Sequence, residues 1–180
     1  DKKVTLFGMR SYMAQYGGSI GSTVSKAETI RLDQALEESG FSVNPQMVKF
    51  YQGLVNTYAP GHADGGNCTD EEKGYLINEV PQSEYTAEAT GDFSGFKDAA
   101  ILVLGRDAGE SSCMYPGERG TMTNATTGEN EFSESTSGNV LGLSDDERDL
   151  LHYVEKQGFD KVIVLLNSVN TMEVQEIEDD

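Results

Sequence analysis

The sequence predicts an α/β protein of the doubly wound kind, with a mostly parallel sheet. Two short stretches, Ala99–Leu104 (Ala-Ala-Ile-Leu-Val-Leu) and Val162–Leu166 (Val-Ile-Val-Leu-Leu), are continuous apolar runs rather than alternating ones. Such runs fit strands covered by helices on both faces, as in a parallel sheet. Segments with helical spacing alternate with them, and strand–helix–strand order is the signature of a layered α/β domain.

The elements follow in order. Val4–Phe7 is an apolar run ending at Gly8, and Phe41–Val43 is a shorter strand candidate. Lys26–Glu38 sets Ile30, Leu32 and Leu36 near one helical face, with Gly40 as the stop. Asn44-Pro45 starts the next helix, Asn as cap and Pro in the first turn. That helix carries Met47, Val48, Tyr51, Leu54 and Val55. Ser144-Asp145-Asp146-Glu147 reads as a capping box, followed by Leu150, Leu151, Tyr153 and Val154 and closed by Gly158. Thr171–Ile177 reads as the start of a further short helix. Two long polar stretches, 61–92 and 111–142, interrupt the pattern, and loops of that length commonly carry function. The second follows the 99–104 strand, at the carboxyl edge where open α/β sheets bind ligands.

The length of 180 residues suits a single domain spanning 1–180. Thirteen basic and 31 acidic side chains leave a net charge of −18. Such a field repels phosphate backbones and anionic lipid surfaces, which argues against nucleic-acid and membrane partners; a neutral sugar is compatible with it. No run of 18 apolar residues is present to cross a membrane. Cys68 and Cys113 lack a CxxC spacing and a nearby histidine pair, so no metal site is expected, and a disulfide between them stays open. Asn67-Cys68-Thr69 and Asn124-Ala125-Thr126 fit the short glycosylation pattern. His62 lies in a Gly-rich stretch and His152 on the polar side of a helix. Both termini read as cuts in a longer chain.

The stretch Ile101 to Glu110 is the most informative for chemistry. A buried strand delivers Gly105, Arg106, Asp107, a small pair and then Glu110. A carboxyl group on such a loop can be partly desolvated, which holds it protonated until a proton is needed, the poise of a general acid. A solvated loop acid is the bland alternative. Gly17-Gly18-Ser19-Ile20-Gly21-Ser22 lies between a strand and a helix, as phosphate-cradling loops do, yet it lacks the Lys-Ser/Thr ending of a P-loop and the dinucleotide spacing. No Gly-x-Ser-x-Gly elbow accompanies Ser168.

Arg106-Asp107-Ala108-Gly109-Glu110-Ser111 resembles the acid/base loop of glycoside hydrolase family 3, where an Arg precedes a Ser/Ala-Gly-Glu-Gly turn. Ser111 departs from the family's Gly, and Ser112, Cys113 and Met114 stand where an Asp often follows. Three further segments resemble the family in the same order: 4–8 with 16–22, 141–147, and 161–173. The resemblance implies an (α/β)6-type sandwich domain, truncated at its C-terminus, from a retaining β-glycosidase of the β-glucosidase or β-xylosidase branch. It implies Glu110 as the general acid/base, with Arg106, Asp107, Gly17, Gly18 and Ser19 near the sugar. It implies no cofactor, a neutral glycoside substrate, and a (β/α)8 barrel partner domain carrying the nucleophilic Asp. With no Trp in the chain, the family's Asp-Trp nucleophile motif is absent, and 180 residues leave no room for a barrel of roughly 250. The alternatives are a flavodoxin-like or Rossmann-like small-ligand module, reading its ligand through 17–22, and a non-catalytic relative of the same family.

Overall fold

The structure, a computed structural model, describes residues 2–17, 24, 29–58, 60–63, 74–107, 122–123, 130–131, 139 and 141–179. Its centre is a four-stranded parallel sheet. The strands are β1 (Lys3–Phe7), β2 (Ser42–Val43), and two more which, after the short strands of the polar stretches are numbered, are β5 (Ala99–Leu104) and β8 (Val162–Leu166). They lie in the order β2-β1-β5-β8, every pair parallel. From β1 the chain steps to one side to make β2, then returns across β1 to make β5. The winding direction therefore reverses between β1 and β5, the doubly wound arrangement with its switch point at that pair.

Both faces of the two central strands are covered, as their continuous apolar runs require. Along β5, Ala100, Leu102 and Leu104 enter a cluster with Phe7, Met47, Tyr51, Leu150, Leu151 and Val154. Ala99, Ile101 and Val103 point the other way, into a cluster with Val4, Leu6 and Val43, flanked by Leu32 and Leu36. Aromatic rings close one end of the larger cluster: Phe7 meets Phe93 and Phe159 edge-on at 5.4 and 5.6 Å between ring centres.

The helices follow from their caps. α1 (Met9–Tyr12) is a single turn directly behind β1. α2 (Leu32–Glu38) starts after Arg31, whose backbone is extended, so it is shorter than the Lys26–Glu38 expectation; Ile30 lies outside it and is exposed. Residues 26–28 of that expectation lie outside the described residues. Gly40, with φ +82°, follows the helix where the left-handed turn needs glycine. α3 (Pro45–Tyr58) is capped by Asn44, whose Oδ1 accepts from Gln46 N at 3.0 Å. After α4 (Ala87–Thr90) comes α5 (Asp145–Glu155), with the full capping box: Glu147 N donates to Ser144 Oγ at 3.1 Å and Ser144 N to Glu147 Oε2 at 3.0 Å. α6 (Gln175–Asp179) begins later than the expected Thr171; before it, Glu173 N donates to Leu141 O at 2.8 Å, which ties this segment to the approach to α5.

Two further expectations change. The polar stretch 61–92 is not bare loop: β3 (Gly61–Ala63) pairs antiparallel with β4 (Gly74–Leu76), and a 3-10 turn at Gln82–Glu84 precedes α4. In 111–142, β6 (Met122–Thr123) pairs antiparallel with β7 (Asn130–Glu131). β8 matches its predicted limits but not its predicted burial. Among the described residues it pairs on one side only, and Val162, Ile163, Leu165 and Leu166 are 38 to 47% exposed. The described parallel sheet has four strands against the six of the sandwich expectation.

Candidate functional site

The carboxyl ends of β1, β5 and β8 converge, and each is fixed by its own set of contacts. At the end of β1, Gly8 turns with φ +84°, and a Cβ there would lie 2.4 Å from Val103 O, so only glycine fits. Gly8 N donates to Tyr51 Oη at 2.7 Å, and that hydroxyl pairs with Tyr85 Oη at 2.8 Å. Burial pushes both tyrosine hydroxyls up, so both remain protonated hydrogen-bonding groups. Met9 N donates to both oxygens of Glu79 at 3.0 Å, and Val80 N to Glu79 Oε1 at 2.8 Å.

At the end of β5, Gly105 passes so close to β8 that a Cβ would sit 2.1 Å from Asn167 O. Arg106 follows with no solvent exposure. Its guanidinium grips Glu147 with both arms, at 2.7 and 2.6 Å, and donates to Gly105 O and Gly142 O. This ties the end of β5 to the first turn of α5, with Glu147 serving at once as capping-box acid and counterion. Asp107, also buried, lies with Oδ2 2.6 Å from Arg10 Nη2, so a residue behind β1 meets one behind β5 across the switch point.

The end of β8 supplies the third set. Asn167 clasps the backbone of Gln15: Gln15 N donates to Asn167 Oδ1 at 2.6 Å and Asn167 Nδ2 to Gln15 O at 3.0 Å. Arg106 N donates to Ser168 Oγ at 3.2 Å, Val169 N to Arg106 O at 2.9 Å, and Asn170 Nδ2 to Asp107 O at 2.9 Å. The Gln15 side chain in turn donates to Gly17 O. The backbone leading to Gly17 and the backbone leading to Asp107 are thus held on one sheet edge by the segment that follows β8.

Of the residues singled out in the sequence, Arg106, Asp107 and Gly17 lie on this edge. Arg106 and Asp107 have their side chains engaged inside the protein. Glu110, Gly18 and Ser19 lie outside the described residues, as do Cys68, Cys113 and both glycosylation patterns. No group of three or more potential metal ligands occurs among the described residues. Sequence reading missed Arg10 and Glu79. Arg10 could have been found from its place just beyond β1, since residues there face the switch point. Glu79 sits in a polar stretch with no local signal.

Two cations, Arg10 and Arg106, meet three buried acids here: Asp107, Glu147 and Glu79. The surplus acid is Glu79. Burial, assisted by the charge of Glu147, pushes its carboxyl up to about 8, against the pull of the Val80 and Met9 amides and of Arg10. Protonating Glu79 leaves two positive and two negative groups, a balanced interior.

Comparison with known proteins follows this geometry. No family model matches the chain, and no curated protein does. Solved structures of β-glucosidase 3B from Thermotoga neapolitana do match it: the complex with glucose at 22% identity and TM-score 0.63, the glycerol complex at 21% and 0.62, and the α-D-glucose complex at 20% and 0.62. The fold is one that a β-glucosidase uses. Each match covers 99% of this chain and 22% of the other, so the chain spans about a fifth of the length of those enzymes. The parallel α/β sheet is therefore shared with a glycoside hydrolase family 3 enzyme, and the likeness is one of fold.

Two measurements test the electrostatics. Replacing Glu147 by Ala strands the Arg106 charge in the interior and is expected to cost about 3–5 kcal/mol in urea unfolding. For Glu79 the folded value of about 8 lies above the ordinary 4.5, so the folded state holds the extra proton between those limits. Stability then falls as pH rises from 4.5 to 8, by up to about 1.4 kcal/mol per pH unit, and Glu79→Gln removes that contribution to the slope. An unchanged slope in the variant would show that Glu79 ionises normally.

Proposed function

We propose that this chain is the acid/base-supplying domain of a retaining β-glycosidase, with Glu110 as the proton donor. The observation that carries the reading is the tethering of residues 105–107 beyond β5, at the switch point of a sheet shared with a β-glucosidase. Glu110 follows Asp107 by three residues. General acids are best placed on loops whose roots are rigid, because a proton transfer tolerates little positional error.

In this reading the substrate is a neutral glycoside, which the net charge of −18 does not repel. The reaction is double displacement. An Asp from a (β/α)8 barrel attacks the anomeric carbon while Glu110 gives its proton to the departing oxygen. Water then cleaves the glycosyl-enzyme, with Glu110 taking a proton from it. The two carboxyl groups of a retaining pair stand roughly 5–5.5 Å apart, a separation made only when the barrel packs against this edge. Arg106 and Asp107 serve the reaction through the backbone they hold rather than through direct contact with the sugar.

Two outcomes are expected. The 180-residue chain alone gives no turnover of aryl glucosides or xylosides, and turnover by the pure chain would contradict the division of labour. In the longer enzyme, Glu110→Gln slows hydrolysis of disaccharides by about 10²–10⁴-fold and slows the first step on activated aryl glycosides far less, with azide restoring turnover. An undiminished rate on a disaccharide would remove Glu110 from the role.

A further inference from the structure

We propose that Arg10 is a positioning residue for the same reaction: through Asp107 it sets the direction in which the chain leaves β5 toward Glu110. This rests on the assignment of Glu110 and adds a residue from the other side of the switch point.

Arg10 belongs to the single turn behind β1, and its side chain is 6% exposed; the Asp107 side chain is 3% exposed. Their contact of 2.6 Å is the one ion pair among the described residues that bridges the switch point. Asp107 is held at both of its polar ends, the carboxylate by Arg10 and the backbone carbonyl by Asn170. Three residues, fully extended, span at most about 11 Å. An anchor at Asp107 therefore restricts where the carboxyl group of residue 110 can be presented. The Gly105 backbone completes the fixture, because an added Cβ there would lie 3.7 Å from Arg10 Nε and would collide with Asn167 O.

Stability alone is a poor account of the pair. Buried ion pairs can often be exchanged for apolar packing without loss. This one is also incomplete: among the described residues Arg10 Nε, Arg10 Nη2 and Asp107 Oδ1 are buried with no hydrogen-bond partner, so the short Nη2–Oδ2 contact is an ion pair out of hydrogen-bond alignment. On the same edge Arg106 is satisfied by two carboxylate and two carbonyl oxygens. Unsatisfied buried polar atoms are costly and rare, so a pair that keeps them is poorly explained by its contribution to stability.

The test uses the longer enzyme with Arg10→Met, Arg10→Lys and Asp107→Asn, and Glu110→Gln as the reference. With a poor leaving group, Arg10→Met and Asp107→Asn are expected to lower kcat by about 10²-fold with KM within about twofold, since small misplacement costs that much. The first step on an activated aryl glycoside, which needs no acid, falls less than about threefold, and Arg10→Lys recovers part of the loss. Equal losses on both substrates that track a fall in Tm, or no loss on either, would overturn the proposal. If Glu110→Gln itself leaves the disaccharide rate intact, the underlying assignment falls and takes this proposal with it.

Discussion

A guanidinium with no contact to water has to find all its partners inside the protein, and Arg106 organises the fold by doing so. Both oxygens of Glu147 and the carbonyls of Gly105 and Gly142 surround it. Those four acceptors come from the end of β5, the approach to α5 and the first turn of α5. Releasing any one of them would leave charge in a medium that solvates it badly. The capping box of α5 and the exit of β5 are consequently one structure: the carboxylate that starts the helix also neutralises the cation just beyond the strand. The neighbouring segment behind β8 fastens onto the same backbone through Ser168, Val169 and Asn170.

The interior at this edge runs close to charge balance while the whole chain, with 31 acids against 13 bases, does not. The buried groups sort into two opposed pairs plus one acid that burial drives toward neutrality. A sugar, which brings hydroxyl groups and no charge, disturbs such a balance less than a phosphate would.

The architecture was readable because the central strands obey a simple rule. Ala99–Leu104 is apolar throughout, and the structure buries all six residues, alternate side chains serving opposite clusters. The Asn44 and Ser144 caps were legible for the same reason: a short polar side chain before a helical stripe has one obvious hydrogen-bonding task. What escaped depended on partners distant in sequence. Arg10 meets Asp107 ninety-seven positions later, and Glu79 receives the Met9 amide from seventy positions earlier, contacts that local pattern cannot encode. The role of Arg106 was half visible: its proximity to the loop could be read, whereas its engagement with Glu147 needed coordinates. β8 shows the opposite failure, an apolar run whose composition announces a centre strand and which, among the described residues, stands at the edge of the sheet.

That edge has a consequence for handling the protein. A strand of Val, Ile and Leu that is partly exposed and, among the described residues, paired on one side only is a template for joining another chain. Mutual repulsion between molecules each carrying −18 opposes such joining, and dissolved ions weaken repulsion over distances beyond about 8 Å at physiological strength. The colloidal behaviour of the 180-residue chain is therefore governed by its buffer: dilute, neutral solutions keep copies apart, and concentrated salt or acid lets the sticky border find its like.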